Sequence, residues 1–531
     1  MPGVLGRNGA VASGHPEVSK SAIAVLRAGG NAVDAAVAAA FTSFHAEPLL
    51  TSPGGGGFAV AVVDGEAISV DFFATAPGLG ATTAPWMPLE GSFFPVRVDF
   101  GAATQEFHIG SGSVAVPSAA NGLLTLQEER GLLGRAEVLE PARQACLRGT
   151  LHNVVGVFAV RLLWPIINST DALRSTFVDA SGVPLALGDT YRNPELLRFI
   201  DACLERGPSV FSHGDVAQAI AACMAERGGP LTHADLASYA THTGVPVRGR
   251  CRDAELLLAA PPSVGGMWMA YAMALLEGLP LPAPASAQDI QLLATVFAVA
   301  ERARVEVVGD ATPTRDHAWE LLDSKRVVWG RDEVLRRLDA GEFAPPDTLD
   351  NLHGSTTHLS VVDRWGNACS VTVSNGEGSG LVLPGFGVFL NNFLGEADIN
   401  PLGFHRFAPG ARLGSAMCPM LARTPDGTVM ATGSGGSNRI RTALTQVTRN
   451  RIRHGMTLPQ AVGADRVHVL PSGLLLEAQT TQRSVVRQFP NASTFEQQSM
   501  YFGGTHTVIR HPDGLCEAVG DPRRAGCALA F

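Results

Sequence analysis

Apolar residues recur three and four apart in "HPEVSKSAIAVLRAGGNAVDAAVAAAFTSF", at Ala22, Ile23 and Leu26 and again at Val33, Ala36, Val37 and Ala40. The spacing predicts two helices broken at Gly29-Gly30, the second with an Ala-rich face suited to close packing on a sheet. The pattern then changes to runs typical of strands. Phe58 to Val63 and Ala67 to Phe72 read as two strands around the turn Asp64-Gly65. Residues 118 to 340 return to helical spacing in "NGLLTLQEERG", "RNPELLRFIDACLERG", "HGDVAQAIAACMAERGG" and "SAQDIQLLATVFAVAERARVEVVG". Within that helical middle, "LTHADLASY" reads as a short polar-to-extended segment, and "LLLAAPPSVGGMWMAYAMALL" as an apolar strand followed by a helix. From about 342, "GEFAPPDTLDNLHGS" carries no periodicity and reads as a linker. After it the chain is strand-rich: "THLSVVDRWGNACSVTVS" predicts two strands about Asp363 to Gly366, and "TVMATGSGGSNRIRTALTQVTRNRI" a strand, a Gly-rich turn and a helix. No internal repeat is found.

The four glycines 54 to 57 precede a strand, and neither Gly-Lys-Ser/Thr nor GxGxxG opening a helix follows them. They therefore point to close backbone approach rather than to phosphate binding. Composition narrows the function classes further. The chain has 531 residues, 46% hydrophobic and 17% charged, enough for a large core in one to three domains. A net charge of -9, with scattered basic residues, argues against a nucleic-acid partner. No apolar run is long enough to span a bilayer, and the start "MPGVLGRNGA" has no charged region followed by an apolar one, so a cytoplasmic location is expected. The eight cysteines stand far apart without CxxC or Cys/His spacing; reduced, buried thiols and no structural zinc are expected.

Candidate chemistry gathers at "NLHGSTTHLSVVDR", where small hydroxyl residues stand between linker and strand. A threonine hydroxyl is a weak nucleophile without a base. Placing the threonine at a chain N-terminus supplies one, its own α-amine with a pKa near 8. That requires cutting the chain, and a linker ending in small residues is where the hydroxyl can attack the preceding carbonyl. Ser-Thr-Thr before a strand is by itself ordinary β-propensity and turn chemistry.

The segments "GGNAVDAAVAAA", "EPLLTSPGGGGF", "APPSVGG", "TTHLSVVDRWGNACSVTVS", "GVFLNN", "SAMCPM" and "GSGGSNRI" together resemble the γ-glutamyltranspeptidase family of N-terminal-nucleophile hydrolases, in the family's order and over nearly the whole chain. The resemblance implies an α+β fold, a four-layer αββα sandwich, with autocleavage between Ser355 and Thr356. It gives a large subunit of residues 1–355 and a small one of 356–531, together one intertwined unit; the two subunits are each other's partners and a higher oligomer stays open. Thr356 would be the nucleophile of both processing and catalysis. Ser374 falls where the family has a threonine hydroxyl bonded to the nucleophile, and Gly435 and Gly436 on the glycine pair of the oxyanion hole. His358 belongs to the strand pattern, and an α-amine base leaves it no catalytic task. No metal or organic cofactor is required.

The specificity half of the family pattern is altered. Phe73 stands in place of the arginine that grips a γ-glutamyl α-carboxylate, and Ser415 with Ala416 in place of two serines that also hold it. Phe393 and Glu396 replace the residues that bind the α-amine, and Asn375 corresponds to an asparagine beside the nucleophile. A charge-assisted hydrogen bond is worth about 1.5–3 kcal/mol, so these losses weaken γ-glutamyl recognition by roughly a thousandfold or more. The expected activity is hydrolysis of an amide or related acyl bond in a small non-γ-glutamyl substrate. The alternatives are C–C bond hydrolysis of a keto-acid in 4-alkylproline-type antibiotic biosynthesis, true γ-glutamyl transfer or glutathione hydrolysis, and an uncleaved, inactive binding homologue.

Overall fold

The computed structural model describes residues 3–80, 89–99, 104–341, 355–470, 473–477, 489 and 492–531. Its centre is a pair of seven-stranded antiparallel sheets. One runs Cys527–Ala530, Gly9–Ser13, Thr356–Asp363, Ala368–Ser374, Gly56–Val63, Glu66–Phe72, His242–Gly244. The other runs Val4–Gly6, Cys516–Val519, Gly504–Arg510, Val429–Gly435, Met420–Arg423, Ala254–Leu258, Val247–Cys251. Each is buried on both faces, which is why its central strands read as nearly unbroken apolar runs.

The period-two alternation of side chains assigns those faces. In the first sheet Val11, Ala59, Ala61, Leu359, Val361 and Val371 pack under the helices Pro16–Arg27 and Ala32–Ala46. Ala10, Ala12, Phe58, Val60 and Val62 face the second sheet, whose outer side is covered by Val264–Leu276, Ala287–Val308 and Arg439–Ile452. Helices, two sheets and helices make the αββα sandwich. Asp363 ties a turn of the first sheet to its helical layer: its Oδ2 accepts from the Ala32 amide at 3.0 Å, at the start of Ala32–Ala46, while its Oδ1 closes the turn through Trp365 and Asn367.

Both sides of the linker contribute to both sheets, so neither segment owns a sheet. Residues 342–354, most of the predicted linker, lie outside the described residues. Two readings are corrected. "LTHADLASY" contains a helix, His233–Ser238, capped by Thr232; Asp235 accepts from the Thr232 amide at 2.8 Å and so completes a Thr-x-x-Asp capping box. The helical middle also supplies an unpredicted strand, Val247–Cys251, whose arginines and glycine hide the alternation. The eight cysteines are free, seven of them buried and Cys527 half-buried.

The glycines 54 to 57 are explained by proximity. A Cβ on Gly55 would lie 1.9 Å from the Ser374 carbonyl oxygen, and one on Gly57 2.3 Å from that of Thr372.

Candidate active site

Thr356 begins its strand at the end of the first sheet, paired with Ser374 at the end of the neighbouring strand. Residues 356, 358 and 360 share the face turned to the second sheet, and this part of the interface is polar. His358 sits between Thr372 Oγ1 at 2.9 Å and Ser360 Oγ at 2.8 Å, and Ser370 Oγ donates to the Thr432 carbonyl at 2.9 Å. Burial, with His506 nearby, holds His358 well below the ordinary histidine range. Gly433 makes room for it, since a Cβ there would fall 2.2 Å from its ring. His358 is therefore a neutral, satisfied core histidine.

In the continuous chain Ser355 and Thr356 are both buried. Thr356 Oγ1 donates to Ser374 Oγ at 3.4 Å, a long contact for two hydroxyls. The Gly376 amide donates to the same oxygen at 3.0 Å, and Ser374 in turn donates to the Ser355 carbonyl oxygen. One serine thus connects the Thr356 hydroxyl to the carbonyl that precedes it. Arg524 Nη1 donates to the Thr356 carbonyl at 2.8 Å, and a Cβ on Gly435 would stand 2.2 Å from that same oxygen. Gly436 has φ +119°, a conformation that favours glycine.

Three residues not singled out in the sequence complete the surroundings. Glu377 Oε1 and Oε2 accept from the Ser355 amide at 2.8 Å and the Ser355 hydroxyl at 2.7 Å. Burial, partly offset by those two bonds, pushes its carboxyl up to about 7. Glu47 accepts from Thr357 Oγ1 at 3.0 Å and is likewise raised by burial to about 7. Burial and Arg439 lower the Arg524 guanidinium to about 10. An acid between glycines in "SNGEGSG" and the arginine pair in "DPRRAG" were the available signals.

Thr356 and Ser374 open onto a cavity of about 320 Å³ that also exposes Phe73, Phe393, Glu396, Ser415 and Ala416. Phe73 and Phe393 meet with ring centroids 4.6 Å apart, and Phe58 stacks behind Phe73 at 5.7 Å. Ser415 Oγ accepts from the Met417 amide at 3.2 Å. Glu396 is buried, its Oε1 has no hydrogen-bond partner among the described residues, and burial together with Asp398 and Glu377 raises its carboxyl well above the usual range. Asp398 lines the cavity too, accepting from Ser437 Oγ at 2.9 Å, and burial raises its carboxyl as well. Arg304 and Arg441 reach the cavity but are engaged by Glu301 at 2.8 and 2.7 Å. Asn375 is not brought to this cavity; it lines a much smaller one behind Glu377, with its Nδ2 donating to the Leu390 carbonyl at 3.4 Å. Among the described residues no cluster of three or more His, Cys, Asp or Glu side chains could hold a metal ion.

A threonine hydroxyl at the head of an internal strand, a neighbouring serine hydroxyl on the carbonyl before it and two stacked sheets make up the candidate site. Residues 18–531 match the family Gamma-glutamyltranspeptidase. The chain belongs to that family. Its relatives include the acylase ACY 1 proenzyme of Pseudomonas sp. (strain V22), 30% identical over 538 residues that cover 99% of this chain and 94% of the relative. The glutathione hydrolase proenzyme of Bacillus subtilis (strain 168) is 27% identical over 555 residues, covering 99% and 92%. The crystal structure of cephalosporin acylase from Bacillus halodurans superposes with a TM-score of 0.79 at 20% identity, over 100% of this chain and 97% of that one, and shares the fold. This γ-glutamyltranspeptidase-family protein is thus an N-terminal-nucleophile hydrolase.

Proposed function

We propose that the protein cuts itself between Ser355 and Thr356 and then uses Thr356 to hydrolyse an amide or related acyl bond in a small substrate that is not a standard γ-glutamyl compound. The observation that carries this reading is the cavity itself, which joins Thr356 and Ser374 to an aromatic wall where the family places its carboxylate-gripping arginine.

After cleavage the Thr356 α-amine takes the proton of its own hydroxyl, and Oγ1 attacks the substrate carbonyl. Ser374 and the amides of Gly435 and Gly436 are the candidates to stabilise the tetrahedral oxyanion. The leaving group departs with the proton, and water releases the acyl group from the Thr356 ester. Phe73 and Phe393 suit an apolar or aromatic acyl chain. Glu396, its carboxyl raised well above the usual range by burial and with one oxygen that has no hydrogen-bond partner among the described residues, suits a hydrogen-bonding group at the far side of the acyl moiety. Both arginines that line the cavity are held by the one carboxylate of Glu301, so neither presents a free guanidinium fork to an α-carboxylate.

The test is a comparison of chromogenic anilides. An anilide of a simple apolar or aromatic acid should show kcat/KM at least about a hundredfold above that of the γ-glutamyl anilide, the equivalent of one or two lost charge-assisted bonds. A preference for the γ-glutamyl anilide would overturn the assignment and restore γ-glutamyl transfer as the reading.

A further inference from the structure

The carboxylate of Glu377 meets Ser355, on the departing side of the bond that is cut. We infer that Glu377 is the positioning residue of self-cleavage, clamping Ser355 so that its carbonyl faces the Thr356 hydroxyl, and that it makes maturation of the chain pH-dependent. This rests on the reading of Thr356 as the self-released nucleophile.

The clamp is formed while Ser355 is still bonded to Thr356. Both oxygens of Glu377 are used, one by the Ser355 amide at 2.8 Å and one by the Ser355 hydroxyl at 2.7 Å, fixing main chain and side chain of the same residue. Glu377 is itself held from behind: Asn392 Oδ1 accepts from the Glu377 amide at 2.8 Å and from the Gly378 amide at 3.2 Å. Gly376, at φ +62°, lets the loop turn this way, and a Cβ there would meet Glu396 Oε1 at 2.0 Å. With Ser355 immobile, its carbonyl oxygen keeps the hydrogen bond from Ser374, whose own oxygen accepts the Thr356 hydroxyl.

Cleavage then proceeds as an acyl shift. The bond from Thr356 Oγ1 to the Ser355 carbonyl carbon forms, the peptide C–N bond breaks, and the hydroxyl proton ends on the released Thr356 amine. Water next opens the ester, leaving a carboxylate on Ser355 and restoring the Thr356 hydroxyl. Glu377 neither gains nor loses a proton in these steps; it must be ionised to accept from both donors with full charge assistance. The groups that act on it are Arg524 and Arg439 on one side and Glu396 on the other, with Glu47 beneath Thr357 acting on the same Arg524. Burial places its titration near neutral pH, so the clamp strengthens as pH rises through about 7.

The test uses full-length chain made by cell-free synthesis, chased at pH 6, 7 and 8 and followed by intact mass. Wild type should cleave faster at each step up in pH. Glu377→Gln should cleave about tenfold more slowly at pH 8 and lose the pH dependence, and Glu377→Asp should recover part of both. Ser355→Ala, which removes one arm of the clamp without touching the acid, should cleave a few-fold more slowly and keep the wild-type pH profile. A Glu377→Gln chain that cleaves at the wild-type rate, or a wild-type rate flat from pH 6 to 8, overturns the inference while leaving Thr356 as nucleophile. If Glu377→Gln does not fold, by circular dichroism, a wild-type rate in Ser355→Ala overturns it instead. No cleavage in wild type at any pH removes the nucleophile assignment itself.

Discussion

Thr356 has no base of its own until it is a chain end, and Ser374 bonds both its hydroxyl and the carbonyl before it. Ser374→Ala is expected to slow self-cleavage and, in cleaved protein, kcat by about 10²–10³-fold, the cost of one lost oxyanion donor. Ser374→Thr should restore most of both, and an unimpaired alanine variant would remove Ser374 from the chemistry. Gly435→Ala, whose methyl would collide with the Thr356 carbonyl, should likewise yield folded but poorly processed protein on a denaturing gel. Thr356, Ser374, Phe73, Phe393, Glu396 and Ser415 were all legible in sequence, because they sit in or beside motifs and the structure gathers them at one cavity. Glu377, Glu47 and Arg524 were not. Their importance lies in contacts spanning 22, 310 and 168 residues, which no local spacing encodes.

The strand Glu66–Phe72 delivers Phe73 to the cavity, and Arg412 fixes the chain where that strand ends. Its Nη1 lies 3.2 Å from Asp71, donates to the Phe73 carbonyl at 3.0 Å and to Tyr239 Oη at 3.2 Å, and its guanidinium stacks 4.9 Å from the Tyr239 ring. Replacing Arg412 by Met strands a buried carboxylate and should cost about 3–5 kcal/mol in urea unfolding. A loss below about 1 kcal/mol would show that the site does not depend on this anchor. Elements with regular periodicity, such as Ala32–Ala46 and Thr356–Asp363, were readable because burial of a helix face or of both strand faces imposes the pattern directly. The Val247–Cys251 strand was hidden because it lies at a sheet edge, where solvent admits arginines and breaks the apolar run.

At the scale of the molecule, strands from both sides of the proposed cleavage point pair with one another within both sheets, so cutting the chain removes no strand pairing. The two subunits should therefore co-elute in native size exclusion and part only in denaturant. Buried acids set the pH response of the uncleaved chain. Glu47 and Glu377 titrate near 7 and Asp71 near 6 when folded, against ordinary values of 4.5 and 3.8, so the folded state binds more protons in that window and stability falls as pH rises through it. Glu301 works in the opposite sense. Burial alone would raise it, but Arg441 and Arg304 hold it at about 2, and its contribution is lost as pH falls below 4.5. Buried His45, His358 and His506 act in the opposite sense up to pH 6.5, so the acids are read by difference: Glu47→Gln in the Thr356→Ala chain should gain thermal stability relative to its parent as pH rises from 5 to 8, and a pH-independent difference would contradict the burial of this acid. The most direct test of the whole account is the intact mass, under denaturing conditions, of freshly purified wild type beside Thr356→Ala. Two fragments of 355 and 176 residues (531 less 355) in wild type alone are the predicted result. One full-length chain in both would contradict Thr356 as a self-released nucleophile.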